Sequence, residues 1–216
     1  MTAHAHAHAH DERDHSRLFA WPGARQFGRL IGATVWLSLL FGVVYGGSNY
    51  ITSIRKTRFS IDFAFESSLP FVPELTVVYS SLYLMYVLVA FALRTREGLN
   101  RFVVQMSWMT LFAGACFLVF PAETTFVRPE VTGWAAVPFR WADQFNLTYN
   151  CAPSLHVAYA VLCAETMRAK HRRVGLLLHL WAVAIAAAAW LTYQHHLVDL
   201  ITGYLLGAWF GRSHSA

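Results

Sequence analysis

The sequence predicts an all-α fold, an integral-membrane six-helix bundle, and three observations predict it. The 216 residues are 56% hydrophobic and only 13% charged, against roughly 45–50% and about 25% in average soluble domains. The apolar residues collect in six long runs. The cations lie between those runs and are unevenly shared. Counted from an inside N-terminus, twelve Lys and Arg fall inside and five outside, the asymmetry of a multi-pass membrane protein. Together these exclude a disordered chain, a fibrous repeat and an ordinary soluble enzyme. The formal charge of +5 then reflects topology rather than attraction to nucleic acid. Three cysteines, Cys116, Cys151 and Cys163, are too few and too odd in number for a disulfide framework.

The elements follow in order. Residues 1–29 are expected to form a cytoplasmic tail. Its His4, His6, His8 and His10 alternate with Ala, a pattern shared by affinity tags and native metal-binding tracts. The first span, Leu30–Tyr50, is too long for a signal-peptide core and lacks an obvious cleavage site. An outer segment, 52–74, follows. There Phe59, Ile61, Phe63 and Phe65 alternate with Ser60, Asp62, Ala64 and Glu66, which suits a strand-like or interfacial stretch. The spans Leu75–Leu93, Phe102–Phe120 and Val174–Tyr193, like the first, reach the roughly 20 residues a crossing helix needs. A second outer segment, 121–150, contains the glycosylation-like triplet Asn146-Leu147-Thr148. The runs Cys151–Met167 and His195–Gly211 are shorter and begin with polar residues. The charge asymmetry requires both to span. The catalytic domain is therefore expected over residues 30–211, with a cytoplasmic tail at 212–216. Both termini are expected inside a cell (inner) membrane.

Polar residues at the ends of membrane helices are costly and mark candidate sites. Pro153-Ser154-Leu155-His156 opens the fourth span, and His195-His196-Leu197-Val198-Asp199 opens the sixth. Arg128-Pro129 lies in the loop after the third. By the expected topology all three fall at the outer face. His195 and Asp199 stand one helical turn apart. A carboxylate there holds the Nδ1 proton of the imidazole and leaves Nε2 free to attack an electrophile. Pro153 suits the first turn of a helix, whose free N–H groups favour a phosphate. His156, a turn further in, is placed as a general acid, and Arg128 can bind phosphate oxygens bidentately. This set points to phosphoryl transfer. Alone, HxxxD also fits a zinc half-site or a proton relay. Glu165 and His179, toward the inner end, are expected to snorkel or pair.

In this order the motifs resemble the type 2 phosphatidic acid phosphatase superfamily, the lipid phosphate phosphatases and their relatives, over roughly residues 30–211. The resemblance implies a six-helix membrane bundle and a metal-independent phosphohistidine mechanism without cofactor. It implies His195 as nucleophile, Asp199 as its orienting partner and His156 as the acid for the leaving alkoxide. It makes Arg128 and Ser154 phosphate-binding residues. Two departures stand out. Pro121 replaces a Lys of the first motif, and Ala188-Ala189 replace a Ser-Arg of the third. Phe-Val-Arg-Pro-Glu, Ala-Pro-Ser-Leu-His and Gln-His-His-Leu-Val-Asp are similar to a divergent branch that includes inositolphosphorylceramide synthases. Arg140 and the Arg55-Lys56-Arg58 cluster are candidate replacements for the missing cations, and Gln194 and Tyr193 are candidate hydrogen-bond donors beside the nucleophile. The expected activity is cleavage of a lipid phosphoester, with water or an alcohol as acceptor. A non-catalytic lipid or proton transporter is the alternative. The expected partners are a phosphorylated lipid and the surrounding membrane lipids, with no nucleic acid and no metal.

Overall fold

The computed structural model describes residues 22–145 and 149–212. The histidine tract, the Asn146-Leu147-Thr148 triplet and residues 213–216 lie outside the described residues. The fold is all-α, as expected. Helix α1 (Ala24–Phe41), a π-helical turn (Gly42–Gly46) and α2 (Gly47–Ser53) form one continuous rod. A 3₁₀ turn (Pro73–Leu75) leads into α3 (Thr76–Ser80) and α4 (Leu82–Ala92). Between them the Ser81 hydroxyl donates to the Val78 carbonyl at 2.6 Å and accepts from Trp181 Nε1 at 2.7 Å. Helix α5 (Arg96–Val119) starts at Thr95, whose hydroxyl caps the Gly98 N–H. Helix α6 (Ala136–Phe145) precedes α7 (Leu155–Arg168), α8 (Arg172–Leu191) and α9 (Leu197–Arg212). Helices α1, α5 and α8 begin before the apolar runs expected at Leu30, Phe102 and Val174, whereas α7 and α9 begin after those expected at Cys151 and His195.

Among the described residues, four helical stretches are long and apolar enough to cross a membrane: Ala24–Ser53, Pro73–Ala92, Arg96–Val119 and Arg172–Leu191. The other two expected spans are α7 and α9, of 14 and 16 residues. At 1.5 Å per residue they reach only about 21 and 24 Å. Helix α7 lies at the centre, packed on α8, α9, α4 and α5, and its residues from Val157 to Glu165 are all buried. Helix α9 approaches it through glycines one turn apart. A Cβ on Gly203 would meet the Ser154 carbonyl oxygen at 2.4 Å, and one on Gly207 the Ala158 oxygen at 2.4 Å. Gly211 lies as close to Glu165. Such stripes let two backbones touch where lipid supplies no hydrophobic drive for helix association.

The alternation at 59–66 does not produce a sustained strand. Only Phe59 and Ser60 (β1) pair, in parallel, with Ala122 and Glu123 (β2). Residues Ala64–Ser68 form a 3₁₀ turn because Glu66 turns inward, its Oε2 accepting the Phe63 N–H at 2.7 Å. At the opposite end of α7, Glu165 is paired. Its carboxylate meets Arg168 at 2.6 Å, Arg212 at 3.2 Å and His179 at 3.5 Å, joining α7, α8 and α9.

Candidate active site

The first turn of α7 and the two residues before α9 bring His156 and His195 to one cavity of about 70 Å³. Its wall also includes Phe41, Tyr45, Tyr79, Tyr83, Asn150 and Tyr159. The His195 Nδ1 lies 3.2 Å from Asp199 Oδ2, the expected pair, but the helix starts only at Leu197, so His195 reaches Asp199 from the segment before it. The same oxygen accepts the His196 N–H at 3.0 Å. The bond to Nδ1 leaves the Nε2 of His195 as the nitrogen available to a substrate. The imidazole of His156 stacks on Tyr79, with ring centroids 4.0 Å apart, and Tyr83 meets it edge-on. Its Nε2 is buried with no hydrogen-bond partner.

The turn into His195 is strained. Tyr193 has φ = 57°, a left-handed conformation uncommon outside glycine. Three contacts hold it. The Tyr193 hydroxyl donates to the Leu69 carbonyl at 2.6 Å, its ring stacks on Phe126, and its carbonyl accepts Arg128 Nε at 3.0 Å. The turn stops α8 and aims the next residues back toward α7.

Ser154 and Pro153 stand beneath the site. Ser154 is the N-cap of α7 and fully buried, and its hydroxyl accepts the Val157 N–H at 3.4 Å. Its N–H donates to the Asp199 carbonyl at 3.0 Å. Pro153 therefore precedes the cap instead of occupying the first turn, because Ser154 takes the capping position. Arg128 forms an ion pair with Asp143 and is not among the residues that line the cavity. Arg140 is exposed on α6. Gln194, next to His195 in the chain, is buried, its N–H on the Ala189 carbonyl at 2.9 Å. Arg58 pairs with Glu123 at 2.6 Å and donates to the Arg55 carbonyl, and Arg55 donates to the Leu118 carbonyl. Lys56 is exposed.

Three features lay beyond sequence reasoning. His196 is fully buried, stacked on Phe126 at 4.1 Å. The Thr125 N–H points at its Nε2 at 3.2 Å. An N–H can only donate, so Nε2 carries the lone pair and Nδ1 carries the proton. That proton goes to Glu66 Oε2 at 3.3 Å. Glu66 also accepts from Trp190 Nε1 and the Leu197 N–H, each at 2.8 Å. Burial pushes its carboxyl up, but the hydrogen bonds from Phe63, Leu197 and Trp190 outweigh this and hold it below its ordinary value. The pair thus fastens both outer segments to the start of α9. The third feature is Asn150, buried on the cavity wall. The double histidine was visible, but Glu66 sits 130 residues away from it.

A family model, that of the PAP2 superfamily, matches residues 64–210, more than half of the chain. The chain belongs to the PAP2 superfamily. Members of the PAP2 superfamily are phosphatases or phosphotransferases acting on phosphoesters, and the apolar helices mark this PAP2 protein as a membrane protein. No curated protein and no solved structure matches it. In this PAP2 chain the positions that depart from the expected motifs, Pro121, Ala188 and Ala189, are buried and bond through their main-chain carbonyls. Pro121 is buried, and its carbonyl accepts the Phe59 N–H at 2.9 Å. Ala188 and Ala189 are buried, and their carbonyls accept the Thr192, Gln194 and His195 N–H groups that shape the turn before α9.

Proposed function

We propose that the protein cleaves a lipid phosphoester through a phosphohistidine on His195. The observation that carries this is the placement of His156 and Asp199-bound His195 on one cavity. The His195 Nε2 lone pair forms a bond to phosphorus as the bond to the alkoxide oxygen breaks. His156 gives that oxygen its proton. It then takes a proton from the attacking water or alcohol, whose oxygen displaces Nε2 from phosphorus. Water makes the reaction a hydrolysis. An alcohol makes it a head-group transfer, as in the synthase branch the motifs resemble.

Two groups are suited to the phosphate charge. In the first turn of α7 the Val157 N–H is taken by Ser154, while those of Leu155 and His156 have no partner within their helix and attract an anion. Those at the start of α9 are already taken by Asp199 and Glu66. Arg128 spends Nε and one terminal nitrogen on Tyr193 and Asp143. It keeps further N–H donors that a phosphate held by His195 could reach only if the side chain swung toward the cavity, which it does not line. The excess of cations in the other set of loops supports a site on the outer face.

The test is phosphate release from phosphatidic acid in mixed micelles, with and without added glycerol as acceptor. We expect turnover unchanged by EDTA and an acid-labile phosphoprotein that His195→Ala abolishes. Full activity in His195→Ala or His156→Ala overturns the mechanism.

A further inference from the structure

Asn150 carries an inference about what the site accepts beside the phosphate. It lies just before α7, only 2% exposed, on the wall of the cavity that holds His156 and His195. Its Nδ2 donates to the Tyr45 carbonyl at 2.6 Å and to Ser48 Oγ at 3.0 Å. A carbonyl cannot donate, so the nitrogen must face Tyr45. Ser48 spends its own proton on that same carbonyl, at 3.1 Å, and therefore receives from Asn150. Both amide hydrogens are committed, and the orientation of the amide is fixed. The Oδ1 is left buried with no hydrogen-bond partner.

The fold builds this arrangement deliberately in the π-helical turn Gly42–Gly46. A π turn places an extra residue in the helix, a device that recurs at functional sites. Here it supplies the Tyr45 carbonyl, and Tyr45 and Phe41 face the same cavity, stacked at 4.8 Å. An unpaired buried acceptor is costly until a donor arrives. The remaining wall is mostly aromatic, with Ser80, Ala142 and Leu155 between the rings, and carries neither Lys, Arg, Asp nor Glu. A neutral group with hydroxyl donors suits such a wall, since a charged group would enter without a counter-ion.

We propose that Asn150 is a specificity-determining residue whose Oδ1 accepts a hydrogen bond from a hydroxyl on the neutral polyol group next to the reacting phosphate. This rests on the reading of His195 as the atom that meets phosphorus.

The experiment is calorimetric binding of two soluble phosphates to the full-length protein in detergent. Glycerol 1-phosphate carries two free hydroxyls, and n-propyl phosphate has the same carbon chain with none. The wild-type protein should bind glycerol phosphate about tenfold more tightly or better. Asn150→Leu should bring the two to equal affinity and leave propyl phosphate within about twofold of wild type. Equal binding by the wild type overturns the proposal without any variant, so a misfolded Asn150→Leu does not shield it. A preference that survives in a folded Asn150→Leu overturns it, as does tighter binding of phosphoethanolamine than of glycerol phosphate. Binding of neither phosphate overturns the His195 reading and this inference with it, whereas binding without preference overturns this inference alone.

Discussion

Asp199 does two jobs with one oxygen. Its Oδ2 receives the His195 imidazole and the His196 N–H, so the His195 ring and the backbone beside it are oriented by a single atom. Asp199→Asn leaves the volume intact but puts an amide where two donors converge. Phosphate release should fall by a factor of about 100 or more, with little change in the KM for phosphatidic acid. Steady-state kinetics on micelles separates these. Glu66 anchors the neighbouring turn through four accepted hydrogen bonds. Glu66→Gln turns an acceptor-only group toward donors. It should lower stability by about 1–3 kcal/mol, read as a drop in the thermal midpoint of the purified protein. The pH dependence has a definite sign. The folded carboxyl titrates below the ordinary value of 4.5, so its contribution is complete above that value and is lost as pH falls through the lower folded one. Wild-type stability should decline in that acid range, and Glu66→Gln should flatten the decline.

At the scale of elements, α7 and α9 explain what the sequence could and could not disclose. The pairing of His195 with Asp199 was legible because the two are only four residues apart, although His195 stands just before α9 and not on it. The convergence of His156 on the same cavity was legible from the position of both motifs at helix starts. The occupation of Arg128 by Asp143 was not, because it depends on how α6 settles against the loop before it. Nor was the partner of His196, which another outer segment supplies. One signal was present and unused: Gly203, Gly207 and Gly211 recur every four residues. They explain how a helix of 16 residues lies flush against the central one. Gly207 has the Ala158 carbonyl oxygen where a Cβ would go, and backbone cannot swing aside as a long side chain can. Gly207→Leu should therefore separate α9 from α7 and displace His195 from His156. The expected outcome is loss of phosphate release together with a lower thermal midpoint. Gly28→Leu, where a Cβ meets open space, should keep both.

For the whole molecule, the two ends of the bundle differ in chemistry. One end holds the His195–Asp199 and His196–Glu66 pairs under loops that carry few cations. The other holds the Glu165 cluster beside Arg168, Lys170, Arg172 and Arg173. The positive-inside rule predicts an orientation from this contrast, with the histidine end facing outward and the arginine-rich end in the cytoplasm. Single reporter cysteines test it. Trp134 is exposed in the loop before α6, at the catalytic end. Ala169 is exposed in the turn between α7 and α8, at the opposite end. The native Cys151 and Cys163 are buried, and Cys116→Ala removes the third from the background. In intact cells a membrane-impermeant maleimide should label Trp134→Cys and spare Ala169→Cys until the membrane is permeabilised. The reverse pattern would put the histidines on the cytoplasmic side, and the enzyme would then draw its phosphoester from the inner leaflet. Labelling of both without permeabilisation would mean that α7 does not cross the bilayer between them. The 14-residue length of α7 makes that comparison decisive, since its depth in the membrane rests on the longer helices packed around it.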